Sequence, residues 1–242
     1  MREDLAFNGS SDPDEWSRWA REWRQAGRFE EALRAHQWYH ANVLELDEAA
    51  YGVRLSFALA DWVDLAREYR PALDALTETR SQAAAAAVGH PPDYEAFHDA
   101  LAIDRALGQE APAYDLILDV ESAHPQQLDG FYNHEVFSVL CHRGEYRRCR
   151  RWMWDPTDEL DLAGERLDFE RSATTPETIR QRAETAFVNR IVELAVVLLG
   201  IGDQAGADDI VVWARRHTDH PRLNSARDDA RRILQERPPV PD

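Results

Sequence analysis

Lysine is missing from this sequence. All 28 basic residues are Arg. That is compatible with a GC-rich genome, with guanidinium groups used for bidentate carboxylate pairing, or with a salt-adapted cytoplasm in which excess acid keeps proteins dispersed. Cysteine is scarce too. Cys141 and Cys149 are too few for a disulfide framework and lack the C-x-x-C spacing, so a buried thiol pair is expected rather than a redox pair. No long apolar run is present. The longest, Ile191 to Ile201, is interrupted by Glu193 and falls short of the roughly 18 residues a membrane span needs. Residues 1–11 lack the apolar stretch of a signal peptide. A cytoplasmic protein with no membrane partner is predicted. Positive charge is in short supply, 28 basic against 45 acidic residues for a net charge of −17. Nucleic acid is therefore not an expected partner, since its phosphates would repel the chain. The phosphate loop, the dinucleotide fingerprint G-x-G-x-x-G and the nucleophile elbow G-x-S-x-G are absent. No enzyme activity and no cofactor are expected.

What is present is helix. Hydrophobic residues make up 44% of the chain and aromatic ones 10%, enough for a packed core, and no alternating strand pattern competes. Asp12-Pro13-Asp14-Glu15 is a helix start. It predicts a first helix to Gln25, a turn at Gly27 and a second helix over Phe29 to Leu46. A second pair is predicted over Tyr51 to Tyr69 and on through Pro71 toward Val88, and a third over Tyr94 to Leu107 and Ala113 to Ala123. The fourth covers Leu128 to Arg143 and Tyr146 to about Trp154, and the fifth Glu177 to Leu199 and Asp208 to His217. Residues 155–176, acidic and broken by Pro156, Gly164 and Pro176, read as an insertion with room for a short helix. Arg222 to Glu236 reads as a C-terminal capping helix. Residues 1–11 read as a loose arm and 237–242 as a tail around one domain over 12–236.

The pairs align on Gly27, Arg67, Gly108, Gly144 and Gly202. Five residues after each comes a small side chain: Ala32, Ala72, Ala113, Cys149 and Ala207. Two helices crossing closely there would be held apart by anything larger. In the first pair Trp16, Trp19, Ala20, Trp23, Gly27, Ala32 and His36 follow the spacing W-x2-L-G-x2-Y, then A-x3-F. This stretch resembles a tetratricopeptide repeat, although the steps between turns are longer than the usual ~34 residues. The resemblance implies an all-α, right-handed superhelical stack of about five antiparallel helix pairs, with a concave face that binds a peptide or protein segment.

In such repeats the first helix of each pair lines the groove. That register implies Asp14, Ser17, Arg21 and Arg24 from the first pair, and Arg54, Phe57, Asp61 and Asp64 from the second. The third supplies Glu95, His98 and Arg105, and the fourth Phe131, His134 and Ser138. Arg21, Arg24, Arg54 and Arg105 with His98, His134 and an apolar contact at Phe57 form the candidate ligand-binding set. Their guanidinium groups suit carboxylates or phosphates. Pairing with Asp61, Asp64 and Glu95 inside the protein is the alternative. Two further readings stay open: a sensor of a small peptide or metabolite in which 155–176 moves, and an enzyme using His98 with Asp99 or His134 with Glu135. His36 and His40 lie one turn apart but lack H-E-x-x-H, so packing is expected there and no metal site is predicted. Trp16, Trp19, Trp23 and Trp38 are expected in the core, with an aromatic binding surface as the alternative. A homodimer through that Trp-rich end is compatible with every reading.

Overall fold

The computed structural model describes residues 12–153, 156–171 and 175–240. The arm expected for residues 1–11, Trp154, and residues 155, 172–174 and 241–242 lie outside these. The described residues are all-α, with helices packed against one another and no strand. Two compact units divide between Gln127 and Leu128.

The first unit holds α1 (Pro13–Gln25), α2 (Phe29–Leu46), α3 (Tyr51–Val53), a π-helical turn (Arg54–Ala58), α4 (Leu59–Glu68), α5 (Arg70–Val88), α6 (Tyr94–Leu107) and α7 (Glu110–Ala123). The Asp12 carboxylate caps α1 by accepting from the Asp14 N–H at 2.9 Å, and Pro13 follows at the first position, where no backbone donor is needed. Trp16, Ala20 and Trp23 turn inward. Trp16 stacks on Trp38 at 4.2 Å and meets Trp19 edge-on at 5.4 Å. The tryptophans of this end therefore build or edge the core, Trp19 and Trp38 being the half-buried pair. Trp62 is buried among α2, α4 and α5, with its Nε1–H donated to the Ala72 carbonyl at 3.2 Å.

Four hairpins close with one turn geometry. The glycine N–H bonds to the carbonyl three residues back, and the next N–H reaches the carbonyl five residues back. The pairs are Gly27 to Arg24 with Arg28 to Trp23, Gly108 to Arg105 with Gln109 to Asp104, Gly144 to Cys141 with Glu145 to Leu140, and Gly202 to Leu199 with Asp203 to Leu198. All four glycines have positive φ, between 69° and 88°. The fifth hairpin lacks this turn. Helix α4 runs past the predicted turn at Arg67 to Glu68, and extended Tyr69 carries the chain into α5. Ala32, Ala72, Ala113, Cys149 and Ala207 are all buried, between 0% and 4% exposed. Asp104 holds a position that is apolar in the other four pairs. It is fully buried and satisfied by Arg80, whose Nη2 donates to it at 2.7 Å and to the Pro112 carbonyl at 2.8 Å.

The second unit holds α8 (Leu128–Phe131), α9 (His134–His142), α10 (Tyr146–Trp152), α11 (Pro156–Glu170), α12 (Glu177–Gly200), α13 (Gln204–Ala214), a 3-10 turn (Pro221–Asn224) and α14 (Ala226–Glu236). Two expectations change here. The helix predicted over Leu128 to Arg143 is two pieces, because the Asn133 side chain accepts from the Glu135 and Val136 N–H groups, both at 2.9 Å, and restarts the helix. The insertion 155–176 holds a 15-residue helix, α11, longer than the short one predicted. Pro156 starts it rather than breaking it, Leu160 and Leu167 are buried two turns apart, and Gly164 lets the helix approach Trp213. α12 is the central helix, packed against α10, α11, α13 and α14.

Residues 237–240, predicted as a free tail, lie over the turn between α9 and α10. Tyr146 donates its phenolic O–H to the Arg237 carbonyl at 2.7 Å, and the Val240 N–H reaches the Gly144 carbonyl at 3.1 Å. A Cβ on Gly144 would lie 2.4 Å from the Pro238 carbonyl oxygen, so this glycine serves both the turn and the strap across it.

Candidate functional site

The site begins with a backbone irregularity. Between α3 and α4 the helix widens into the π-helical turn Arg54–Ala58. Such turns rotate side chains out of the register of an ordinary helix and recur at functional sites. Three attachments tie this stretch to α6. Arg54, only 7% exposed, donates from Nη1 and Nη2 to the two oxygens of Asp99, both at 2.5 Å, and from Nε to the His40 carbonyl of α2 at 2.8 Å. The Tyr51 hydroxyl meets His98 Nδ1 at 2.7 Å. Arg105 donates to the Leu55 carbonyl at 2.6 Å. Burial pushes the Asp99 carboxyl up to about 6 against the opposing pull of Arg54. On the outer side of this pinned segment Phe57 is 74% exposed, with Val53 half-exposed one turn earlier.

A second row of contacts joins α1 to α4. Arg21 pairs with Asp61 at 3.1 Å, and Arg24 with Asp64 at 3.1 Å and Glu68 at 3.6 Å. Just below, Phe29 stacks on Tyr69 at 5.7 Å. Arg21–Asp61, Arg24–Asp64 and Phe29–Tyr69 each join residues 40 apart, the step between the first two aligned turns. Six of the seven candidate residues, Arg21, Arg24, Arg54, Phe57, His98 and Arg105, thus lie on α1, the α3–α4 helix and α6 of the first unit. Arg54 differs from the rest in being sealed in a buried pair. The Arg21 and Arg24 pairs are partly exposed to solvent and worth roughly 0–1 kcal/mol each.

His134 belongs to the second unit. It is exposed at the start of α9, with Nδ1 3.4 Å from Arg190 Nη1. Arg190 is the residue that sequence reasoning missed. It donates to Glu159 at 2.5 Å and to the Tyr132 hydroxyl at 3.1 Å, and lies over the Phe137 ring at 4.0 Å. A single Arg inside the apolar run from Phe187 to Leu199 was the available signal.

His36 and His40 frame Trp62, the first ring stacked on the indole at 5.9 Å and the second edge-on at 5.9 Å. Burial, with Arg24 and Arg21 nearby, lowers His36 to about 4. Burial, with Arg54 nearby, lowers His40 to about 3. Both rings are neutral at pH 7 and serve as packing. Among the described residues no group of three or more His, Cys, Asp or Glu side chains is arranged to hold a metal ion, and no helix is long and apolar enough to cross a membrane. Comparison of the chain with protein families, with curated proteins and with solved structures gives no match.

Proposed function

We propose that the first unit is a tetratricopeptide-like binding module, not an enzyme, that holds a segment of a partner protein against the face formed by α1, the α3–α4 helix and α6. One observation carries this reading: a large aromatic side chain, Phe57, stands in solvent on a helix pinned at three points to its neighbour. An aromatic ring on a rigid support loses little conformational freedom when it is covered, which is the property of an interface anchor. Arg21 and Arg24 exchange Asp61 and Asp64 for carboxylates of the partner, while Arg105 and His98 border the anchor. Arg54 does not touch the partner; it positions the turn that carries Phe57. The ligand is then a segment with an apolar side chain next to acidic ones.

The test is affinity capture from the cell of origin with the full chain as bait. Phe57→Asp should reduce recovery of the partner at least tenfold, and Arg21→Glu should reduce it by a smaller factor, with helical content unchanged in both. Equal recovery with wild type and Phe57→Asp would remove this face as the binding site.

A further inference from the structure

Helix α11 has two apolar faces. The inner one, Leu160 and Leu167, is buried. The outer one carries Leu162, 63% exposed, and Phe169, 79% exposed, more than any other large apolar side chain among the described residues. At 3.6 residues per turn Leu162 and Phe169 lie within roughly 20° of each other around the helix and about 10 Å apart along it, on the side away from Leu160 and Leu167. The inner side is fixed. Glu159 accepts from Arg190 of α12 at 2.5 Å, and Arg171, just past the end of α11, donates to Glu184 of α12 at 2.8 Å. The helix cannot roll to hide the outer pair without breaking both ion pairs.

Two exposed charges edge this outer stripe. Glu165 lies roughly 50° to one side of it and Arg166 roughly 50° to the other. Neither forms an ion pair among the described residues. We propose that α11 is the contact surface of a homodimer, its outer face covered by α11 of a second copy running parallel to it. Symmetry selects the direction. A two-fold axis along the helices sets Leu162 against the partner's Leu162 and Phe169 against the partner's Phe169. It also brings Arg166 to the partner's Glu165, and Glu165 to the partner's Arg166. A two-fold axis across the helices gives the antiparallel pair, in which each flank meets its own copy, Arg on Arg and Glu on Glu. Only the parallel arrangement covers both apolar side chains and satisfies both charges. Asp161, Asp168 and Glu170 lie roughly 90–110° from the stripe, at the rim, where salt screens their repulsion. Two large apolar residues per copy make a contact below the ~1,000 Å² of a stable interface, so the dimer is a weak one. The net charge of −17 on each copy opposes it further at low ionic strength.

Sedimentation equilibrium of the full chain in about 0.15 M salt, from micromolar to millimolar concentration, tests this. The expected result is a monomer–dimer equilibrium that Phe169→Asp weakens at least tenfold. Glu165→Arg and Arg166→Glu should each weaken it several-fold alone. An equimolar mixture of those two variants should associate at least as tightly as wild type, because Arg then meets Glu on both flanks. Wild-type monomer throughout the range, or a dimer that Phe169→Asp leaves unchanged, would overturn the proposal. Single charge variants that associate as wild type does would overturn it too, since that is the antiparallel outcome. The wild-type and mixing measurements settle the matter even if Phe169→Asp loses helical content.

Discussion

Arg54→Met should destabilise the protein by about 3–5 kcal/mol, the cost of leaving one member of a buried ion pair without the other. The substitution keeps most of the side-chain volume and removes three donors. Asp99 loses both bonds of its bidentate partner, and the His40 carbonyl loses its Nε–H donor. The carboxyl already sits near 6 through burial with Arg54 in place, so without the guanidinium it takes up a proton well above that. Urea denaturation followed by tryptophan fluorescence reads the loss, since Trp62 lies beside His40. The double variant Arg54→Met/Asp99→Leu should recover most of it, because neither charge then needs a partner. A single-variant loss below about 1 kcal/mol would mean that water reaches the pair.

The second large effect is loss of stability in acid from His36 and His40. Their folded values, about 4 and about 3, lie below the ordinary 6.5 because burial penalises the imidazolium. A depressed histidine contributes stability that is present above its unfolded value, so this term is full above pH 6.5 and is lost as the pH falls through 6.5 toward 4 and 3. Asp99 works in the opposite sense. Its raised value makes its contribution largest at low pH and lost as the pH rises through about 6. Two histidines against one carboxylate leave a net loss on the order of a few kcal/mol between pH 6.5 and 4. Stability measured across that range for wild type and for His40→Leu isolates the histidine term from other carboxylates. The variant should show a visibly flatter acid limb. Parallel curves would place His40 in water.

Much of the scaffold could be read from the sequence because it is local. The Asp12-Pro13 start, the positive-φ glycines at 27, 108, 144 and 202, and the buried small residues five positions beyond follow from the chemistry of a few neighbouring residues. The 40-residue step reappears as Arg21–Asp61, Arg24–Asp64 and Phe29–Tyr69 contacts. Tertiary context decided what was misread. Pro156 and Gly164 look like helix breakers until Leu160 and Leu167 have a buried surface and Trp213 stands where a side chain on residue 164 would go. Arg54 looks like a groove cation until Asp99 faces it from α6. The π-helical turn has no signature in Arg54-Leu55-Ser56-Phe57-Ala58, since Asp99, His98 and Arg105, 45 to 50 residues away in sequence, hold it in place.

The most direct measurement places a photo-crosslinking phenylalanine analogue at position 57 of the full chain in the cell of origin, with the same analogue at exposed Glu78 on α5 as the reference position. Irradiation should give one discrete adduct at position 57, absent at position 78 and lost when Arg105→Glu is added. No adduct at position 57, or the same adducts from both positions, would contradict the assignment of this face as the binding surface.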